Sequence, residues 1–306
     1  MLSYIIKEFK SQYLVRSMLT VLVILLLYLS CTVFVFSNRM PDEWNSYYVT
    51  QIAEIKNNME FSDENDEYYE KKIKLFEYEY ENGKYPNPAN NFFVSFNQVL
   101  LICLCLGFVY VSMCNKETYI QNISNQISLQ YFISQFIIII LFVLFTYLSE
   151  MFLSIMIGGV KFGFEGMFQP IVLLNNQGVV IELSSFYYAF ATRTSMLVIT
   201  IIYCAIGYMI LWGIKNRWKA ILTLFLVCVG PFIVFYMLND EAVENLQRYL
   251  FFSYNYSLYF FSSYSISVVE GTTFIDALIV HGVSFTIFLM AAWCFFRRRM
   301  KSSNNI

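Results

Sequence analysis

Apolar and polar positions alternate on a long scale in this chain. Six almost uncharged runs, at about 18–36, 92–113, 132–157, 186–212, 220–238 and 274–296, are separated by polar stretches. Each run has roughly the 20 residues that a helix needs to cross hydrocarbon. Lipid offers no partner to a bare N–H or C=O, so such runs must be helices. The expected fold class is an all-α membrane protein with six transmembrane helices.

The polar stretches carry shorter patterns. In 1–16, Leu2, Ile5, Ile6, Phe9 and Tyr13 fall on one helical face and Lys7 and Lys10 on the other. That is an amphipathic helix lying in the interface, handing over to the first span (17–36) near Arg16. The long loop 37–91 holds Trp44, Tyr47, Tyr48, Ile52, Ile55 and Met59 at helical spacing, then an acidic helix from about Asp63 to Glu81. Asn82-Gly83 and Pro86-Asn87-Pro88 break the pattern before the second span (92–113). Two short helices, packed on each other or on the membrane surface, are expected. Segment 114–131 places Tyr119, Ile120, Ile123, Ile127 and Tyr131 at helical spacing ahead of the third span (132–157). It is a docking helix for a soluble partner or a simple connector. Segment 158–185 is glycine-rich and irregular. The fourth span (186–212), a short loop (213–219) and the fifth span (220–238) follow. Segment 239–273 is crowded with Tyr and Phe and reads as an interfacial or re-entrant stretch, or as an aromatic belt. The sixth span (274–296) runs into the tail 297–306.

Charge orients the runs. With both termini on the cytoplasmic face, the inner segments hold eleven Lys and Arg against two acids, and the outer ones, with Arg193 and Asp276 at the outer ends of their spans counted in, hold nine against nineteen. The clusters Lys215–Lys219 and Arg297–Lys301 sit directly at span ends, as inner loops require. The first span is long for a signal core and no small-residue cleavage site follows it. All seven cysteines lie in spans or at their ends, so they imply no disulfide framework. Loop 37–91 carries twelve acids and six bases. It is either a solvated face or an electrostatic collector for cations. An Asn-, Ile-, Lys- and Tyr-rich composition fits a bacterial cell membrane.

Four ionisable residues stand within spans: Glu150, Arg193, Asp276 and His281. Such groups are costly and usually face a bundle interior. Glu150 and Arg193 can pair between the third and fourth spans, or line a polar path. For Arg193 and Asp276 the simpler expectation is snorkelling to the headgroups. His281 has no second histidine with which to build a metal site. No G-x-x-x-x-G-K-[ST] loop exists, since Gly83-Lys84 is followed by Tyr85. ATP is therefore not expected on this chain.

The architecture resembles the permeases of ABC-2 type transporters. They have an N-terminal interfacial helix, six spans, cytoplasmic termini and a coupling helix between spans two and three. That helix often reads E-x-G-T-(x)-x-x-L-x-S-x-P-I-S-R. Here Glu117, Thr118, Ile123, Ser124, Ile127 and Ser128 stand in comparable places, and Tyr119 adds to the apolar stripe. The glycine is missing, Gln126 replaces proline and Leu129 replaces the basic residue. The resemblance implies a permease subunit of an ATP-driven exporter, not an enzyme by itself. It implies ATP and Mg on a separate cytosolic ATPase, a second permease subunit and no nucleic acid. The off-pattern coupling helix favours a heteromer over a homodimer. A hydrophobic or amphipathic cargo such as an antimicrobial peptide is the first expectation. The alternatives are a membrane enzyme acting on lipid-linked substrates from outside, and a non-transporting immunity or receptor protein that binds a peptide.

Overall fold

A computed structural model describes residues 12–39, 43–59, 66–84, 88–95, 97–114, 128–165, 167–175, 177–216, 218–227 and 273–303. Helix α1 is Gln12–Arg39, α2 Trp44–Met59, α3 Asp66–Glu81, α4 Pro88–Val94, α5 Gln98–Cys114 and α6 Ser128–Phe162. Strands β1 (Pro170–Leu174) and β2 (Val180–Ser184) lead into α7 (Ser185–Gly213). The short helix α8 is Trp218–Val227, and α9 is Phe274–Ser303.

Five segments among the described residues are long and apolar enough to cross a membrane: Tyr13–Val35, Phe92–Met113, Leu129–Phe162, Ser185–Gly213 and Phe274–Lys301. They mark this as a helical membrane protein. Part of the fifth predicted span, 220–238, is α8, and 228–238 lies outside the described residues. So do most of the N-terminal helix (1–11) and segments 115–127, 228–272 and 304–306.

Helix α7 is the central element. Thr192, Ile199, Tyr203 and Ala205 are among its many buried residues. Its neighbour α9 keeps an apolar stripe on the outside, with Ile275, Ile279, Val283, Ile287 and Met290, and so does α1, packed on α6, with Leu19, Val23, Leu26 and Leu27. Continuous outward stripes of Leu and Ile mark surfaces that face lipid or another membrane chain.

Aromatic contacts give the helix directions. Phe108 of α5 stacks on Phe142 of α6 at 3.7 Å, and Ser112 meets Gln135 at 3.4 Å, so these two helices are antiparallel. Phe132 and Phe136 of α6 both pack on Tyr208 of α7. Further along, Tyr147 meets Thr200 and Glu150 meets Arg193, so α6 and α7 are also antiparallel. Phe132 packs on Trp293 and Phe136 on Phe285, so α9 opposes α6 and runs parallel to α7. Trp212 against Phe296 at 4.7 Å closes that end. There Arg299 donates to the Leu211 carbonyl at 3.1 Å, satisfying one of the orphan carbonyls of the α7 terminus.

Four expectations change. First, α1 is continuous through Arg16, because nothing between Gln12 and Met18 breaks a helix; residues 12–16 belong to the span helix. Second, the second apolar run is not one helix. Ser95 donates to the Phe92 carbonyl at 3.2 Å, and the Asn97 side chain accepts from the Leu100 N–H at 3.0 Å. These short polar side chains compete with the helical ladder, ending α4 and capping α5. Third, α6 extends to Phe162. The supposedly irregular stretch after it contains a β-hairpin, the exception to an all-α description. Asn175 accepts from the N–H groups of Gln177 and Val179, and Gly178 supplies the φ of +70° that the turn needs. Fourth, α9 continues past 296 into the basic tail.

The two loop helices form as the spacing predicts. Tyr48 and Ile55 of α2 are buried together with Ile73 of α3. The pair docks on the hairpin. Lys74 donates to the Gly178 carbonyl, while Tyr78 and Lys84 reach Glu182 at 2.9 and 3.1 Å. These contacts form a small polar subdomain over the end of the bundle opposite the basic residues.

Candidate functional site

Beneath the subdomain, α6 and α7 face each other with two charges. Glu150 and Arg193 are 1% and 4% exposed. Arg193 Nε donates to Glu150 Oε2 at 2.8 Å and Nη2 to Oε1 at 3.1 Å. This is the two-pronged geometry in which a guanidinium binds a carboxylate best. Ser154, one turn further along α6, donates to Glu150 Oε1 at 2.9 Å. Arg193 Nη2 also donates to the Phe93 carbonyl at 2.9 Å, and the guanidinium lies 5.5 Å from the Phe93 ring centre. Phe93 belongs to the last turn of α4, immediately before the break. Helix α4 leaves carbonyls unsatisfied there, and Arg193 supplies a donor. Ala189, fully buried one turn before Arg193, keeps that face of α7 small.

The arrangement therefore ties three membrane segments together. Charge balance and the hydrogen bonds to both partners offset the cost of burial. Its chemistry is that of a clamp: the carboxylate accepts from Arg193 and Ser154, and the guanidinium donates to Glu150 and Phe93. The expected snorkelling of Arg193 is overturned, because its carboxylate partner lies on the neighbouring helix at the same depth. Comparison with protein-family models, curated proteins and solved structures found no match.

The other sequence candidates separate from this site. Asp276 sits in the first turn of α9, where it accepts from the Thr273 N–H at 2.8 Å and from its hydroxyl at 2.7 Å. Thr273 Oγ1 in turn accepts from the Asp276 N–H at 3.3 Å, completing a capping box. Asp276 is thus a helix cap and not a path-lining charge. His281 is buried on α9, away from the clamp in sequence and helix. Among the described residues no group of three or more His, Cys, Asp and Glu could hold a metal. The coupling residues Glu117, Thr118, Tyr119, Ile123 and Ile127 lie outside the described residues, and Ser128 opens α6.

Two features escaped sequence reading. One is the Phe93 carbonyl, exposed by the break at Ser95–Asn97; the only sequence signal is a Ser and an Asn in an apolar run. The other is a buried hydroxyl pair below the clamp, Tyr147 and Thr200 at 2.7 Å. Hydropathy averages such single hydroxyls away.

The subdomain has its own electrostatics. Tyr48 donates to buried Glu79 at 2.6 Å. Burial pushes the Glu79 carboxyl above the usual carboxylate range, and the Tyr48 hydrogen bond only partly opposes this. A carboxyl that holds its proton more tightly when folded stabilises fully below its unfolded pKa. That contribution is lost as pH rises through the folded pKa. Glu79→Gln is therefore expected to unfold at a higher temperature than the unmodified chain at pH 8, with the gap shrinking towards pH 5. Thermal denaturation at the two pH values checks this. At Glu182 the sign reverses: hydrogen bonds from Tyr78 and Lys84 hold its carboxyl below the usual range.

Proposed function

We propose that this chain is the permease subunit of an ATP-driven ABC exporter in a bacterial cell membrane. The cargo is a hydrophobic or amphipathic compound such as an antimicrobial peptide. ATP and Mg bind a cytosolic ATPase partner, and a second permease subunit, more readily a different chain than a copy, completes the membrane part.

The observation that carries this reading is the parallel packing of α7 and α9. A chain that leaves α7 at the basic end and enters α9 at the opposite end recrosses the layer an odd number of times in between. One crossing by the apolar run 220–238 would supply this, giving six spans with both termini on the basic side. The connector between α5 and α6 starts and ends on that same side, within reach of a cytosolic ATPase. Three of the described acids of the opposite end, Glu77, Glu79 and Glu182, are committed to Lys56, Tyr48 and the Tyr78–Lys84 pair, so these three hold a fold together.

Orientation has a direct test. Cysteines at Glu70 and Gln177, both exposed, should react with a membrane-impermeant thiol reagent in intact cells. One at Lys301 should react only after lysis. The choice of Gln177 matters, because the neighbouring Asn175 is a buried turn former.

Export itself is tested by susceptibility. Cells carrying the chain with its genomic neighbours should survive several-fold higher doses of at least one amphipathic peptide than cells lacking it. Ile123→Asp combined with Ile127→Asp should abolish the difference. Equal killing across a panel of cationic, anionic and neutral amphipathic peptides would remove peptides as the cargo.

A further inference from the structure

Two grooves flank α5, and they differ in chemistry. One, of about 640 Å³ between α5, α7 and α8, is apolar along its length, with Leu106, Leu224 and Phe225 on its walls. The other, of about 710 Å³, runs between α1 and α5. Its body is formed by Val21, Ile24, Leu104 and Phe108, while Tyr13, Arg16, Ser17 and Thr20 line the end nearest the α1 N-terminus. Gly107 lines both grooves, and a methyl group built there meets no atom within 4 Å.

The charged end of this groove lies on the basic side of the bundle. Arg16 is the one charged residue lining this groove; Lys215, Lys219, Arg297, Arg298, Arg299 and Lys301, on α8, α9 and the segment after α7, stand at the same end of the bundle, and no acidic residue joins them among the described residues. Six of these are exposed or partly exposed and unshared with any described carboxylate, whereas Arg299 is engaged with Leu211. A ligand suited to this place carries a negative head at the interface and an apolar tail directed into the membrane. We propose that the α1–α5 groove binds one anionic phospholipid, with its phosphate at Arg16 and an acyl chain along Val21, Leu104 and Phe108. The volume lies within the usual range of ligand sites. The exposed Arg16 guanidinium, with no carboxylate lining the groove, favours an anionic over a zwitterionic headgroup. The site needs neither the transport reading nor a particular orientation, since either leaflet supplies such lipids.

Native mass spectrometry of the full chain tests it, with phosphatidylglycerol, phosphatidylcholine and free glycerol phosphate titrated separately. One phosphatidylglycerol per chain should be retained in preference to phosphatidylcholine, and glycerol phosphate should not be retained. Arg16→Ala should weaken phosphatidylglycerol retention about fivefold and leave phosphatidylcholine unchanged, since one basic residue near an anionic headgroup contributes about that much. Arg16→Lys should keep the preference. Gly107→Leu should lower retention of both lipids with the thermal unfolding midpoint unchanged, since a side chain there meets open space and leucine favours the helix. Undiminished phosphatidylglycerol retention in both Arg16→Ala and Gly107→Leu would overturn the proposal. So would retention of glycerol phosphate alone, or a lipid-independent dimer that Gly107→Leu dissociates, which would make the groove a contact between copies.

Discussion

Arg193→Leu is expected to destabilise the membrane bundle by about 3–5 kcal/mol, the cost of leaving a buried charge without its partner. Glu150 would then keep only Ser154 as a donor, and the Phe93 carbonyl at the α4 terminus would lose its own. The paired change Glu150→Leu with Arg193→Met should recover most of that loss, because an apolar pair of similar volume carries no desolvation cost. Thermal unfolding in detergent, followed by tryptophan fluorescence, reads all three proteins. Arg193→Leu unfolding at the temperature of the unmodified chain would show that the clamp holds nothing. The double variant also separates two roles. A purely structural clamp leaves a stable double variant functional, whereas a charge pair lining a path leaves it stable and inactive.

A second large effect is expected at the connector between α5 and α6, where the proposed ATPase would dock. Ile123→Asp with Ile127→Asp should abolish co-purification of the ATPase while leaving the amount of chain in the membrane unchanged. Burial of a large apolar side chain contributes roughly 1.5–3 kcal/mol. Two carboxylates in the apolar stripe of Tyr119, Ile123 and Ile127 would remove two such anchors and bury charge in their place. Quantitative blotting of membranes and of the purified eluate measures both arms. Retained ATPase would move the contact to the N-terminal helix.

Much of the fold was legible because its strongest signal is simple. An apolar run long enough to cross hydrocarbon has one acceptable backbone solution, so α1, α6, α7 and α9 follow from composition along the chain. Helices α2 and α3 were legible from Tyr48, Ile55 and their neighbours, whose spacing places them on one face. The break between α4 and α5 was hidden because Ser95 and Asn97 barely lower the local hydropathy. Their effect is local hydrogen bonding, which competes with the helix. The hairpin was hidden because its strands are five residues each, with the turn signals Asn175 and Gly178 set among irregular-looking residues. At the candidate site the charges were visible but their partnership stayed open. Glu150 and Arg193 are 43 residues apart, and only the antiparallel packing of α6 on α7 fixes which faces meet. The Phe93 carbonyl has no side-chain signature at all. Asp276 looked like a charge within a span, yet its role depends on Thr273 three residues earlier.

The central claim is that this chain works as half of an ATP-driven membrane complex. A tagged copy, expressed together with its genomic neighbours and purified in mild detergent, tests this when every co-eluting chain is identified and quantified by mass spectrometry. The account predicts a cytosolic ATPase and a second permease in the eluate, with the ATPase lost and the second permease kept on the double substitution at Ile123 and Ile127. An ATPase alone, in equal amount, would leave the exporter but replace the heteromer with a homodimer. Recovery of this chain with no ATPase at all would contradict the account.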